Sequence, residues 1–89
     1  MPKRKRLEHF RDNFENLSIP IPWECFVAVL EKCHGFEMSN SPGGGSARIF
    51  IRGEIRFIAH EPHGREDMVS KGDRKRAIEA IGRMKGEIS

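Results

Sequence analysis

Two histidines close together in the chain have the chemistry of an acid–base pair. His60 and His63 are separated by Glu61 and Pro62. Imidazole exchanges protons near neutral pH, so two histidines can serve as the base and the acid of one reaction. Many bond-breaking reactions need both roles, since one group removes a proton from the attacking atom and another protonates the leaving atom. His60 and His63 are therefore the candidate catalytic residues.

The same histidines also have a structural interpretation, in which His63 caps a turn and His60 is an exposed strand residue. The H-x-x-H spacing is compatible with a metal site, but the sequence offers no third ligand beside it. We predict neither a metal nor another cofactor. From the sequence alone, a role in catalysis or RNA contact and the structural interpretation both stay open.

Lys and Arg residues cluster around these histidines. The chain of 89 residues has 16 Lys and Arg against 13 Asp and Glu, a net charge of +3, and such clusters attract phosphate. Three cations, Arg74 to Arg76, fall in the first turn of a predicted helix, where they oppose the helix dipole. Use on phosphate would explain them, and a solvated face is the alternative. The predicted RNA contacts are Gly45, Ser46, Arg48, Arg56, Arg65, Lys71, Arg74 and Lys75.

The three consecutive glycines at residues 43–45 do not match a nucleotide-binding loop. They lack the G-K-[ST] ending of a P-loop and do not open a helix. One interpretation is a connection between two strands. The other is a loop whose backbone N–H groups touch an RNA phosphate, which is why Gly45 and Ser46 are among the predicted contacts.

Apolar residues at spacings of three and four predict three helices. The first is an amphipathic helix near the N-terminus with the stripe Leu7, Phe10, Phe14 and Leu17. The second ends at the capping residue Gly35 and has the stripe Trp23, Phe26, Val27, Leu30 and Cys33. The third begins at the capping pair Ser70 and Asp73 and has the stripe Ala77, Ile78, Ile81 and Met84.

Three strands are predicted between the second and third helices. Residues 36–39 alternate in polarity, and residues 47–52 and 55–60 are β-rich runs around Gly53-Glu54, a two-residue hairpin turn. The apolar stripes of the second and third helices are buried most simply in an α+β fold with an α-β-β-β-α core. That core is a three-stranded antiparallel sheet with two helices on one face, plus an N-terminal helical extension. We place the basic extension at residues 1–20 and the domain at residues 21–89.

The hairpin turn also predicts which strand residues share a face. With a two-residue turn, Ala47 pairs with His60, and alternation along the strands separates two sets. The core set is Phe50, Ile55, Phe57 and Ala59. The outer set is Ala47, Ile49, Ile51, Arg56, Ile58 and His60. Ile49, Ile51 and Ile58 either form a surface for a partner, including a second copy of the chain, or are covered by the N-terminal helix.

Several short motifs, taken in order, resemble one protein family. They are the helix end Cys33-His34-Gly35-Phe36, the loop Gly44-Gly45-Ser46 before the strand with Phe50, the segment His60-Glu61-Pro62-His63, and Lys71-Gly72 at the start of the last helix. Over about Ile21 to Met84, roughly two-thirds of the chain, this order resembles HicA-type toxins of bacterial toxin–antitoxin pairs.

The resemblance implies a fold like that of double-stranded-RNA-binding domains. It implies a small endoribonuclease that binds and cleaves mRNA, usually without a metal, and that a HicB-like antitoxin neutralises. In that family the catalytic histidine usually follows the Gly-Ser pair, whereas here Ala47 follows Gly45 and Ser46, and alanine cannot exchange a proton. The alternative function is therefore a non-catalytic RNA-binding or protein-interaction module on the same fold.

Other classes of protein do not fit the sequence. No apolar run reaches the ~18 residues of a membrane span, and no apolar stretch of a secretory signal follows the basic residues 3–6. Cys25 and Cys33 are eight positions apart, unlike a C-x-x-C redox or zinc pair. We predict a cytoplasmic protein with reduced thiols and no membrane partner.

Overall fold

Three antiparallel strands lie between helices in the computed structural model, which describes residues 3–41, 43, 45–62 and 67–88. The sheet order is β1-β2-β3. In chain order the elements are α1 (Lys3–Asp12), α2 (Trp23–Ala28), a π-helical turn (Val29–Cys33), β1 (Glu37–Asn40), β2 (Ala47–Arg52), β3 (Ile55–His60) and α3 (Lys71–Ile88). The predicted α+β class, with helices before and after the strands, is confirmed.

The β2–β3 hairpin has the predicted register. Ala47 pairs with His60, and Arg52 pairs with Ile55 across the two-residue turn. Gly53 in that turn has a φ of +60°, in the left-handed region that favours glycine. The core set predicted for one face is buried: Phe50, Ile55, Phe57 and Ala59.

Aromatic rings join the sheet to the helices above it. Phe50 and Phe57 stack with their centroids 5.1 Å apart, and Phe26 of α2 meets Phe50 edge-on at 5.8 Å. Phe14, from the segment between α1 and α2, stacks on Phe26 at 5.6 Å. The N-terminal segment therefore contributes a ring to the same core as the strands.

The helix that begins at Trp23 is buried over a wider face than its stripe predicts. Cys25 and Val29 are buried as well, because α2 and the π-helical turn contact α1 in addition to the rest of the core. The helical segment closes as predicted at Gly35, whose φ is +73°. The N–H of Phe36 donates to the carbonyl of Leu30, which satisfies one of the last carbonyls of the helix.

The outer face of the sheet is not covered by α1. Leu7 and Phe10 of that helix pack against the core, and α1 contacts α2 and the π-helical turn. Ile51 and Ile58 on the outer face are 37% and 46% exposed. Of the two interpretations of this face, the one in which the N-terminal helix covers it is wrong.

Arg74 joins α3 to the segment between α1 and α2. Its side chain is only 1% exposed, so the prediction that Arg74 contacts RNA is wrong. Nη1 donates to the carbonyl of Ile19 at 2.6 Å. Nη2 lies within donating distance of the carbonyls of Phe14 (2.7 Å), Asn16 (3.0 Å) and Asn13 (3.4 Å). A planar, permanently charged guanidinium suits this task because it can serve several acceptors at once.

None of the helices in the described part of the chain is both long and apolar enough to cross a bilayer.

Replacing Arg74 by methionine should destabilise the protein strongly. Methionine fills similar space but donates no hydrogen bond, so the carbonyls of residues 13–19 lose their common donor. We expect the free energy of unfolding to fall by about 3 kcal/mol, measured by urea denaturation followed by circular dichroism. Lys75→Met is the matched control, because Lys75 is the exposed neighbour on the same helix turn. Equal losses for the two variants would show that the Arg74 contacts do not stabilise the fold.

Candidate functional site at the start of the last helix

An open cleft lies where the end of β3 meets the start of α3. Its volume is about 490 Å³. Three segments line it: the last residue of the glycine-rich loop, the end of the hairpin with the residues after it, and the first turns of α3 with the residues before it. The lining residues are Ser46, His60, Glu61, Pro62, Met68, Ser70, Gly72, Asp73 and Arg76.

The first turn of α3 is capped as the sequence predicts. The hydroxyl of Ser70 accepts the N–H of Asp73 at 3.1 Å, and the carbonyl of Ser70 accepts the N–H of Arg74 at 3.0 Å. A serine in this position satisfies one of the backbone donors that a helix leaves unpaired at its start. The cap also fixes where the side chains of the first two turns begin.

The carboxylate of Asp73 lies in the wall of the cleft. It is nearly buried, with the residue 4% exposed. Its Oδ2 accepts the backbone N–H of His60 at 3.0 Å, and its Oδ1 accepts a hydrogen bond from Arg76 Nη1 at 2.9 Å. One buried carboxylate thus connects the end of β3 to the first turns of α3. Both contacts help offset the cost of burying its charge.

The imidazole of His60 lies beside the same carboxylate. Its Nδ1 is 3.6 Å from Asp73 Oδ1, which is longer than a hydrogen bond. The side chain of His60 is 57% exposed, so a bound molecule can reach the ring. A carboxylate beside one ring nitrogen, with the remainder of the ring open, is an arrangement that can orient a histidine for proton transfer.

Arg48 holds the glycine-rich loop against the hairpin. Its Nη1 donates to the carbonyls of Gly45 at 2.8 Å and Ala47 at 3.0 Å, and its Nη2 lies 3.5 Å from a carboxylate oxygen of Glu61. The N–H of Glu61 in turn donates to the carbonyl of Ser46 at 2.9 Å. Arg48 therefore supports the wall of the cleft through the loop, and its guanidinium is engaged with protein groups.

The other predicted RNA contacts divide into three groups. Gly45, Ser46, Lys71 and Lys75 are exposed, and Ser46 lines the cleft. Arg56 is exposed on the outer face, four residues along β3 from His60, which corresponds to about 13 Å of strand. Arg65 lies outside the described residues, as does His63, which was predicted to be catalytic.

Sequence reasoning did not assign Asp73 or Arg76 to the site, although both line the cleft. The Ser70-x-x-Asp73 spacing was the signal, but it predicts only a helix cap and does not show that the carboxylate reaches a strand 13 residues earlier in the chain. Arg76 was counted only as one of three adjacent cations. The structure separates these three, since Arg74 is buried, Lys75 is exposed, and Arg76 pairs with Asp73 at the cleft.

Among the described residues, no three His, Cys, Asp or Glu side chains are grouped so that they could hold a metal ion.

Comparisons with known proteins identify no relative of this chain. No family model matches it, no curated protein matches it, and no solved structure matches it.

Removing the Asp73 carboxylate should loosen the end of β3. In Asp73→Ala the backbone N–H of His60 loses its acceptor, and Arg76 loses its ion-pair partner. We expect the His60 amide to exchange with solvent at least about tenfold faster, since hydrogen bonds to charged groups contribute about 1.5–3 kcal/mol. Amide hydrogen exchange followed by NMR measures this directly.

Asp73→Asn should raise that exchange rate less, because an amide oxygen can still accept the hydrogen bond. Glu79→Ala, at an exposed position on the same helix, should leave it unchanged. An unaltered His60 amide in Asp73→Ala would show that the carboxylate does not secure the strand end.

Proposed function

We propose that the protein is an RNA-binding endoribonuclease of the HicA type, and that RNA is bound and cleaved in the cleft around His60. The observation that supports this best is the position of the exposed imidazole of His60 between a buried carboxylate and the surface. Arg76 is held at the same carboxylate. An acid–base group and a cation that can contact phosphate thus share one open cleft.

The chemistry is attack of a ribose 2′-hydroxyl on the adjacent phosphate. His60 takes the 2′-hydroxyl proton as a bond forms between the 2′-oxygen and phosphorus, and the bond from phosphorus to the 5′-oxygen breaks. The leaving 5′-oxygen takes a proton from a second group, so the products are a 2′,3′-cyclic phosphate and a 5′-hydroxyl. Asp73 stabilises the imidazolium that His60 becomes during the reaction.

A second proton carrier is required by this scheme. His63 is the candidate, because it follows His60 by three residues and imidazole suits the role of acid as well as base. Its geometry lies outside the described residues, so its assignment rests on sequence spacing. Arg76 is the group proposed to meet the negative charge that develops on the phosphate.

Binding of the RNA backbone is assigned to the groups around the cleft. Lys71 and Lys75 are one turn apart on the exposed side of α3, beside the turn that carries Gly72 and Arg76. Ser46 lines the cleft, and Gly45 next to it is exposed. Contacts with phosphates and 2′-hydroxyls recognise the shape of RNA rather than its base sequence.

The register of the hairpin supports a way in which this chain could depart from the HicA pattern and still transfer a proton. Ala47 occupies the place where that family usually has its catalytic histidine, and His60 is its direct partner across β2 and β3. An imidazole supplied from the partner strand begins within about 5.5 Å of the Ala47 backbone. We propose that His60 takes over the proton transfer that Ala47 cannot perform.

The proposed biological role is that of a cytoplasmic toxin acting on mRNA, neutralised by a HicB-like antitoxin. To inhibit it, such a partner would have to deny RNA access to the His60 cleft. The non-catalytic RNA-binding module is the second candidate. The observation that favours it is the methyl side chain of Ala47 in place of the family's histidine.

RNA binding should depend on salt and on the two exposed lysines. Each phosphate that the protein neutralises releases counterions. It thereby steepens the fall of log K with log salt, by about 0.7 for single strands and about 0.9 for duplexes. The double variant Lys71→Ala/Lys75→Ala should therefore bind structured RNA more weakly and reduce the slope by about 1–2. Fluorescence anisotropy at several salt concentrations measures both quantities.

The matched control is Lys32→Ala/Arg83→Ala, which removes the same charge from exposed positions away from the cleft. If the control reduces the slope as much as the lysine variant does, the RNA does not lie along the start of α3. An absence of binding at low salt would contradict the proposed function as a whole.

Removing His60 should abolish most of the cleavage without affecting the fold. Loss of a general acid or base lowers the rate by about 10²–10⁴-fold, so we expect His60→Ala to do so while its thermal midpoint stays close to that of the wild type. His63→Ala should act likewise. Single-turnover cleavage of a labelled RNA, with detection of the 2′,3′-cyclic phosphate end, is the measurement.

His9→Ala is the control, since His9 is exposed on α1 and takes no part in the cleft. Full activity in the His60→Ala/His63→Ala double variant would contradict the assignment of both histidines. A wild-type protein that binds RNA without cleaving it would instead support the non-catalytic module.

A further inference from the structure

The outer face of the sheet has an ordered pattern of charge across its three strands. Strand pairing places Glu37, Ile51 and Arg56 side by side in one row. The next row is Ser39, Ile49 and Ile58. These six residues are here called the open sheet face. Its centre is apolar, and its carboxylate and guanidinium lie on opposite edge strands.

The two charges of the open sheet face do not pair with each other within one chain. Neighbouring strands are about 4.8 Å apart, so Glu37 on β1 and Arg56 on β3 start about 10 Å from each other, with Ile51 between them. Neither forms an ion pair with any other residue in the described part of the chain. Ile51 and Ile58 beside them are exposed.

We propose that the open sheet face binds a second copy of the same chain, in a face-to-face dimer whose two-fold axis runs parallel to β2. Rotation about that axis exchanges the two edges of the sheet while keeping each residue in its row. Glu37 of each copy then lies over Arg56 of the other, so two reciprocal ion pairs form. Ile51 meets its own equivalent on the axis, as does Ile49, at the spacing of about 10 Å that packed sheets adopt.

Other two-fold arrangements of this face do not pair the charges. An axis in the plane of the sheet and perpendicular to the strands places each strand over its own equivalent, so Glu37 would lie over β1 of the other copy and Arg56 over β3, whatever the position of the axis. An interface between copies must be self-complementary, and only the axis parallel to β2 makes this face so. The pattern of charge therefore selects both the occupant and its orientation.

The dimer should be weak. The open sheet face consists of six residues on three strands. The surface area that it can bury is therefore smaller than the roughly 800 Å² per partner of a standard stable interface. We expect a dimer dissociation constant between about 10 µM and about 1 mM, and we expect it to rise as salt is added. The proposal does not depend on RNA cleavage, because His60 turns its imidazole to Asp73 at the edge of the sheet.

Charge reversal on the full-length chain tests the geometry. Glu37→Arg or Arg56→Glu creates two like-charge contacts in each homodimer, so each variant should raise the dimer dissociation constant by at least about tenfold. The double variant E37R/R56E rebuilds both pairs with their signs exchanged and should return close to the wild-type value. Sedimentation velocity over the stated concentration range measures the constants.

Mixing the two single variants gives the sharpest result. The Glu37→Arg chain carries two arginines on this face and the Arg56→Glu chain carries two glutamates, so both pairs form in the mixed dimer. The mixture should therefore associate more tightly than either variant alone. Glu79→Arg and Arg83→Glu, exposed on α3, make the same charge changes elsewhere and should leave the constant unchanged. If circular dichroism shows that a charge-reversal variant does not fold, Glu37→Gln or Arg56→Gln replaces it, and the loss of dimer affinity is expected to be smaller.

Three outcomes would overturn the proposal: a wild-type chain that is monomeric at about 1 mM, a double reversal that fails to recover association, or a mixture no tighter than its components. A monomer that nevertheless binds an antitoxin through Ile51 would assign the open sheet face to that protein instead. Ribonuclease and RNA-binding assays on the same variants keep this result separate from the proposed function, which predicts no loss from the substitutions at position 37.

Discussion

The buried guanidinium of Arg74 is the contact on which the arrangement of the other elements depends. It is a charge inside the protein whose described partners are carbonyls, so backbone dipoles must compensate for its lost hydration. Burial lowers the pKa of Arg74, and Nε has no hydrogen-bond partner among the described residues, so this compensation is incomplete. The segment that supplies those carbonyls is therefore held in one conformation around the start of α3.

That segment leads directly into residues whose backbone forms hydrogen bonds with the chain just before α3. Beyond Ile19, the chain pairs with the residues that precede α3: the carbonyl of Ile21 accepts the N–H of Val69, and Trp23 N–H donates to the carbonyl of Asp67. The N-terminal segment and the approach to α3 consequently position each other. Asp73, the neighbour of Arg74, faces the other way and secures the end of β3, so two adjacent residues of opposite charge connect α3 to the two halves of the chain.

Features that depend on the alternation of neighbouring residues along the chain could be predicted from the sequence. The alternation of side chains along β2 and β3 and the two-residue turn at Gly53 predicted the register and the buried face, because a shift of one residue would expose Phe50 and Phe57. The site followed less well. His60 could be placed opposite Ala47, but Asp73 could not be placed beside it, since that contact depends on how α3 crosses the end of the sheet.

The prediction for Arg74 failed for a related reason. A run of Arg, Lys and Arg is usually a solvated face. Successive side chains of a helix point in different directions, however, so Arg74 can be buried while Lys75 is exposed. Phe14 is similar, because its spacing predicted an amphipathic extension while its ring lies in the common core. In both cases the deciding partner was a part of the chain far away in sequence.

The hydrogen bond from His60 N–H to Asp73 also bears on how this sheet avoids fibrous aggregation. β3 is an edge strand, and unpaired backbone groups along such an edge are a template for strands of other molecules. Glu61 N–H turns inward to Ser46, so the donor of His60 points away from the sheet, and the carboxylate of Asp73 occupies it. α3 packs along the same strand, and the opposite edge, β1, is only four residues long. Growth of the sheet by added strands is thereby discouraged at both edges.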